Sequence, residues 1–177
     1  MNNIRVFEKF NPDIHPDAFI DKSAVVCGDV AIGRDSSVWP QVSIRGDIHH
    51  IRIGERSNIQ DGAILHVTHD SEYVPGGYAL TVGDDVTVGH NVILHACQIE
   101  NLCLIGMGSV VLDGAVVQSG AMVGAGSLVP PNKKLEGGYL WLGSPVKRVR
   151  ALTEKEISFL TYSAEQYVKL KNRHSHS

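Results

Sequence analysis

Three histidines, His66, His90 and His95, are the residues of this chain whose type and spacing could do chemistry. Three neutral imidazoles around one divalent ion leave a fourth coordination position open, the pattern of a catalytic rather than a structural zinc centre. Arg45, Asp47, Gln60 and Asp61 lie in the same stretch. Gln60 and Asp61 are suited to support the rings or to orient a water. Arg45 and Asp47 are suited to a salt bridge between subunits, with stabilisation of an anionic product as the other role for Arg45. The histidines are scattered along the chain, so something periodic must gather them.

That element is a six-residue beat. An aliphatic residue returns at Ile20, Val26, Ile32, Val38 and Ile44, at Ile53, Ile59 and Leu65, at Val82, Val88 and Leu94, and at Ile99, Ile105, Val111, Val117, Val123 and Val129. A repeat of this length marks a solenoid, here a parallel β-helix whose hexapeptides are each a short strand and a turn. Three hexapeptides make one triangular coil, with the aliphatic side chains stacked inside. Six glycines directly behind the beat (Gly33, Gly54, Gly83, Gly89, Gly106, Gly124) are expected where the backbone bends into unusual dihedrals. The beat is interrupted three times: three residues are extra between Ile44 and Ile53, eleven are extra between Leu65 and Val82, and one is missing between Leu94 and Ile99. The longest excess holds His69-Asp70-Ser71-Glu72-Tyr73-Val74-Pro75-Gly76-Gly77, a turn-rich segment that reads as a protruding loop. His49 and His50, in the shortest excess, read with His69 as surface or gating residues.

Counted in coils, the histidines fall into columns. His66 follows Leu65 and His95 follows Leu94, one coil apart, so their backbones are neighbours at about 4.8 Å. Arg45, behind Ile44, extends the column one coil back, with Asp47 at its end. His90 belongs to another edge, above Gln60 and Asp61, because the extended stretch between it and His95 spans about 16 Å. One chain therefore carries two half-sites. A heterologous contact that closes on itself makes a ring. A triangular rod suggests a homotrimer, each centre taking His66 and His95 from one subunit and His90 from the next.

The 177 residues read as a single domain: a lead-in over 1–19, the β-helix over 20–129, a loop-rich connection over 130–151 begun by Pro130-Pro131, and a helix over 152–172. Thr153 and Glu156 form a capping box. Ile157, Leu160, Ala164 and Tyr167 recur at helical spacing, so this face should pack along the solenoid. The tail from His174 to Ser177 should fray, and Trp39 should pack at an edge. A net charge of −3 offers no field for nucleic acid or a membrane surface. No apolar run of spanning length and no leader-like start are present, and Cys27, Cys97 and Cys103 are too few for a disulfide framework. The expected compartment is the cytoplasm.

Arg45-Gly46-Asp47, Asn58-Ile59-Gln60-Asp61, His66 and Gly89-His90-Asn91-Val92-Ile93-Leu94-His95 together resemble the signature of the gamma-class carbonic anhydrases, especially their short bacterial, ferripyochelin-binding-like relatives. The likeness covers nearly the whole chain, including Gly106-Met107-Gly108, Gly143-Ser144-Pro145 and the C-terminal helix. It implies a left-handed parallel β-helix, a homotrimer, and zinc or another divalent metal (Fe2+, Co2+) held by His66, His90 and His95. It implies reversible hydration of carbon dioxide to bicarbonate by a hydroxide made on the metal. Gln60 and Asp61 would orient that hydroxide, Arg45 and Asp47 would bridge subunits, and Tyr162 would reach the site from the helix. The sequence departs from a well-studied archaeal member: Ile48 replaces a glutamate after Asp47, and the loop offers only Asp70 and Glu72 as acidic groups. Slow proton export and low hydration activity follow from that departure. Two other functions share the beat: an acyltransferase or thioesterase acting on coenzyme A esters, and a non-catalytic metal-binding scaffold.

Overall fold

The computed structural model describes residues 3–175. The chain is a parallel β-solenoid followed by one helix, Glu154–Ser175. Three strand faces repeat in order. The first carries Ile64–His66, Ile93–His95, Val110–Val111 and Leu128–Val129. The second carries Leu80–Val82, Gln98–Ile99, Val116–Val117 and Lys134–Leu135. The third runs from Phe19–Ile20 through Ser37–Val38, Asn58–Ile59, Thr87–Val88, Leu104–Ile105 and Met122–Val123 to Tyr139–Gly143. Two long strands, Val25–Ile32 and Ser43–Ile53, turn the corner between the first two faces and join them into one twelve-stranded sheet.

The beat points inward as its spacing requires. Val26, Val38, Ile44, Ile59, Leu65, Val88, Leu94, Ile105, Val111, Val117, Val123 and Val129 have no solvent exposure at all. Two residues before most beats the corner takes something small, and Cys97 and Cys103 fill such corners, while Ile51 and Leu80 are the large exceptions. They are packing residues, and burial pushes the Cys103 thiol up to about 12.

The glycines behind the beat have a different cause from the expected one. None of those six has a positive φ. Their missing Cβ would strike the next coil: at Gly33 it would meet the Gly54 carbonyl oxygen at 2.5 Å, and at Gly106 the Ala125 amide at 2.5 Å. The left-handed residues come two positions later, at Asp35, Arg56, Asp85, Asn91, Gly108 and Gly126.

One end also differs from expectation. The beat does not stop at Pro130-Pro131: Leu135 and Trp141 keep it, paired in parallel with Val117 and Val123. The prolines sit in a turn between strands, where no ladder N–H is needed. At the other end the lead-in is already strand, with Asp13–Ile14 paired to Ala31 and Ile32. An antiparallel hairpin closes the far end, Tyr139–Gly143 against Val146–Ala151.

The helix starts on its capping box, Glu156 N–H donating to Thr153 Oγ1 at 3.2 Å and Thr153 N–H to Glu156 Oε2 at 2.9 Å. It packs on the third face through Leu160, Ser163 and Ala164, while Ile157 faces outward. The expected fraying at His174 is not seen. Its ring lies 5.2 Å from that of Trp39, which is buried beneath the helix and Tyr167. His176 lies outside the described residues.

All three interruptions fall at one corner, between the first and second faces. The extra residues after Ile44 lengthen a strand, those after Leu65 leave as the loop closed by the Thr68–Tyr78 bridge, and the deletion after Leu94 is absorbed by Ala96 at φ 49°. Functional residues collect where a regular scaffold is broken. Here the break runs beside His66 and His95.

Candidate metal centre

His66 and His95 are register partners on adjacent strands of the first face. Their side chains converge, His66 Nδ1 lying 3.3 Å from His95 Nε2. The far nitrogen of each ring meets a carboxylate: His66 Nε2 is 3.2 Å from Asp47 Oδ1, and His95 Nδ1 is 2.6 Å from Asp113 Oδ1. An ionised carboxylate can only accept, so each far nitrogen carries the proton. In the neutral rings the two facing nitrogens then both present lone pairs, an arrangement that a divalent cation between them would satisfy. Two zinc bonds of 2.0–2.1 Å at tetrahedral angles separate their nitrogens by about 3.3–3.4 Å. The donor set therefore fits a zinc-like ion.

The electrostatics keep this arrangement at neutral pH. Burial lowers the pKa of His66 despite the Asp47 hydrogen bond, so the ring is neutral and able to ligate. Burial acts to raise Asp47 and Asp113. Hydrogen bonds from Arg45 and His66 outweigh it at Asp47, and those from Thr68 and His95 outweigh it at Asp113, so both carboxyls sit below their ordinary value.

Arg45 and Asp47 pair within one chain, Nη1 to Oδ2 at 2.5 Å. Asp47 needs both oxygens, one for Arg45 and one for His66. The guanidinium is half exposed, with its other donors toward the surface.

His90 stands apart, at the corner between the third and first faces. Its strand neighbour Thr87–Val88 belongs to the other sheet, and its Nδ1 lies 3.0 Å from Asp61 Oδ2. Beside it Gln60 is buried, and its amide orientation follows from a chain of contacts. Asn58 Nδ2 donates to Thr87 Oγ1 at 3.1 Å and faces the Val86 carbonyl, which can only accept. Asn58 Oδ1 must then receive Gln60 Nε2, at 3.0 Å, leaving Gln60 Oε1 as the outward acceptor. Thr87 Oγ1 continues the chain to Ser163 Oγ of the helix at 2.9 Å.

Tyr162 does not join either cluster: it is half exposed and its ring packs beside Phe159. The phenol that senses Asp61 is Tyr167, raised first by burial and then by that charge. His49 and His50 line a small hollow of about 310 Å³ behind Asp47, and His69 is exposed on the loop. Among the described residues, no three His, Cys, Asp or Glu side chains of one chain converge as a complete metal site. A cavity of about 750 Å³ lies over the second face and touches none of the three histidines.

Sequence reasoning did not find Asp113 or Thr68. Counting the His66–His95 column one coil further reaches Leu112 and, at the turn, Asp113. The hexapeptide register was the available signal.

No family model matches the chain. It is 55% identical over 171 residues to Protein YrdA of Escherichia coli, covering 97% of this chain and 93% of that one. It is 44% identical over 151 residues to a probable carbonic anhydrase of Methanocaldococcus jannaschii, covering 85% and 91%. It is 42% identical over 173 residues to the mitochondrial gamma carbonic anhydrase 2 of Arabidopsis thaliana, covering 97% of this chain but 61% of that longer protein. Among solved structures, a hexapeptide transferase family protein of Anaplasma phagocytophilum superposes with a TM-score of 0.88 at 39% identity, over 95% of both chains.

Proposed function

The chain belongs to the gamma carbonic anhydrase-like family of hexapeptide-repeat proteins, and from that premise we propose that it is a metal-dependent enzyme hydrating carbon dioxide reversibly to bicarbonate. The observation that carries this reading is the pair of facing ring nitrogens on His66 and His95, 3.3 Å apart, each with a carboxylate behind its ring. A divalent ion, zinc first and Fe2+ or Co2+ as alternatives, satisfies them.

When bound, such an ion supplies the Lewis acidity that makes water a nucleophile near neutral pH. His66 and His95 hold it from one subunit and His90 from a second. Asp47 and Asp113 fix the rings from behind. Gln60 Oε1 would be the acceptor that orients the attacking water toward carbon dioxide, and Asp61 would orient the adjacent His90 ring. The proton released must pass Ile48 and a loop with few acids, which limits the rate. Free cysteines at positions 27, 97 and 103 support a cytoplasmic setting, and no helix is long and apolar enough to cross a membrane.

The homotrimer in this proposal has a physical basis. The first face lies between the two half-sites, and its outward column is Val25, Ser43, Ile64, Ile93, Val110 and Leu128. Ile64 is 46% exposed and Ile93 36% exposed in the single chain. The matching column on the second face is Arg52, Thr81, Gln98, Val116 and Lys134. Three first faces turned inward bury apolar surface and bring each His66–His95 pair toward a neighbour's His90.

Mixing subunits tests it. His66→Ala and His90→Ala homotrimers should each be inactive and metal-poor. Unfolded together and refolded, the two should form mixed trimers with one intact centre, restoring metal and hydration. Absence of rescue in mass-verified mixed trimers would refute a shared centre. The second reading, transfer or hydrolysis of a coenzyme A ester, is favoured by the transferase-named neighbour. It would be supported by acetyl-coenzyme A turnover that survives His66→Ala.

A further inference from the structure

Thr68 is the neck of the protruding loop. Its N–H donates to the Tyr78 carbonyl at 3.0 Å, and Tyr78 N–H donates back at 2.9 Å, so the nine residues between them hang from this rung. The Thr68 side chain turns away from the loop: Oγ1 donates to Asp113 Oδ2 at 2.5 Å. The other oxygen, Oδ1, receives His95 Nδ1–H at 2.6 Å. Asp113 is held in place by the coil above, its carbonyl accepting Asn132 N–H at 2.9 Å, and the loop's return strand is tied to the same coil by Tyr78 Oη and Asn132 Oδ1 at 3.4 Å.

We infer that Asp113 and Thr68 are positioning residues that lock His95 as its Nδ1–H tautomer with Nε2 turned to the ion, so that the neck of the 69–77 loop is a working part of the centre. The inference rests on the metal-centre reading above. An imidazole's two tautomers are close in energy, and the partner of one nitrogen decides which is presented at the other. With Asp113 in place, only Nε2 offers a lone pair. Thr68 fixes the second carboxylate oxygen, so the carboxylate cannot rotate away from the ring. Asp47 does the corresponding work for His66, with Arg45 in the place of Thr68. The Thr68–Asp113 pair is neutral-to-anion rather than a salt bridge. It is therefore the softer of the two supports, and the one that ties a ligand to the neck of the loop.

The test uses the full-length protein, Zn2+ in competition with a chelator, and ring-nitrogen NMR of the metal-free protein. Asp113→Asn keeps the shape but can donate its amide to Nδ1, stabilising the wrong tautomer. Zn2+ affinity should fall by about tenfold to a hundredfold. The His95 ring should shift from Nδ1–H toward Nε2–H, with the metal-free assembly mass unchanged. Thr68→Val, which removes one hydroxyl and no volume, should weaken Zn2+ by about threefold to tenfold, the worth of one hydrogen bond. Wild-type Zn2+ affinity together with an unshifted His95 ring in Asp113→Asn overturns the inference. If that variant does not fold, a wild-type His95 found as Nε2–H overturns it instead. A wild-type protein that binds no Zn2+ brings down the metal-centre reading, while the tautomer measurement still decides the role of Asp113.

Discussion

The two histidine-bearing corners border the same strand face and are built to different standards. At one, His66 and His95 are 16% and 34% exposed, each with a carboxylate behind it and each facing the other. At the other, His90 is 45% exposed and its partner Asp61 50% exposed. The first corner is organised by contacts within the chain, and the second has its order supplied at the level of Gln60, through Asn58, Thr87 and the helix. A centre divided this way needs only one rigid half. In the proposed trimer the other half docks against it, so metal binding and subunit association would reinforce each other by mass action.

The largest effect that would sharpen this contrast lies in the ligands themselves. His95→Ala and His66→Ala break the organised pair, and zinc affinity should fall by about a hundredfold or more per lost ligand, given roughly 10–16 kcal/mol for a full zinc set. His90→Ala leaves the pair intact and should cost less, though still enough to read by chelator competition. A His90→Ala loss exceeding that of His95→Ala would reverse the assignment of the rigid half.

Assembly gives the next effect. Ile93→Asp places a charge in the apolar column between the corners, which a buried interface cannot hydrate. Sedimentation should show the trimer mass falling to about one third at micromolar concentration, with near-wild-type far-ultraviolet circular dichroism. Thr81→Asp, at an outward position of the second face, should leave the mass unchanged. If both variants dissociate, or neither does, the first face is not where subunits meet.

Much of this was legible from the hexapeptide count alone. The count placed Leu65 beside Leu94, and so His66 beside His95, and it separated His90 onto another corner above Asp61. It failed where side chains leave the column. Asp113 sits at a turn one coil beyond, and its reach to His95 depends on rotamers rather than on spacing. Tyr162 was expected at the site from the family resemblance; within one chain it stays half exposed, while Ser163 and Tyr167 are the helix residues turned toward the third face. Pro130-Pro131 looked like a terminator because proline stops most strands; in strands this short it can occupy the turn, and the beat resumes at Leu135. The glycines were read as dihedral requirements, whereas the coil spacing itself leaves no room for a Cβ at those positions.

The smallest effect probes what holds the looser corner. Ser163→Ala removes the helix end of the chain that sets Gln60, leaving the Thr87 hydroxyl without that partner in a buried place. A stranded buried hydroxyl costs about 1–3 kcal/mol, so the thermal midpoint should drop by a few degrees. Because Asn58 still receives Gln60 and still faces the Val86 carbonyl, the amide keeps its orientation but loses rigidity. Hydration should therefore slow several-fold in kcat with zinc affinity unchanged, since none of the four residues in the chain is a ligand. Zinc affinity that fell in step with the rate would mean that the helix also orders His90, and the two corners would then differ less than their contacts within one chain suggest.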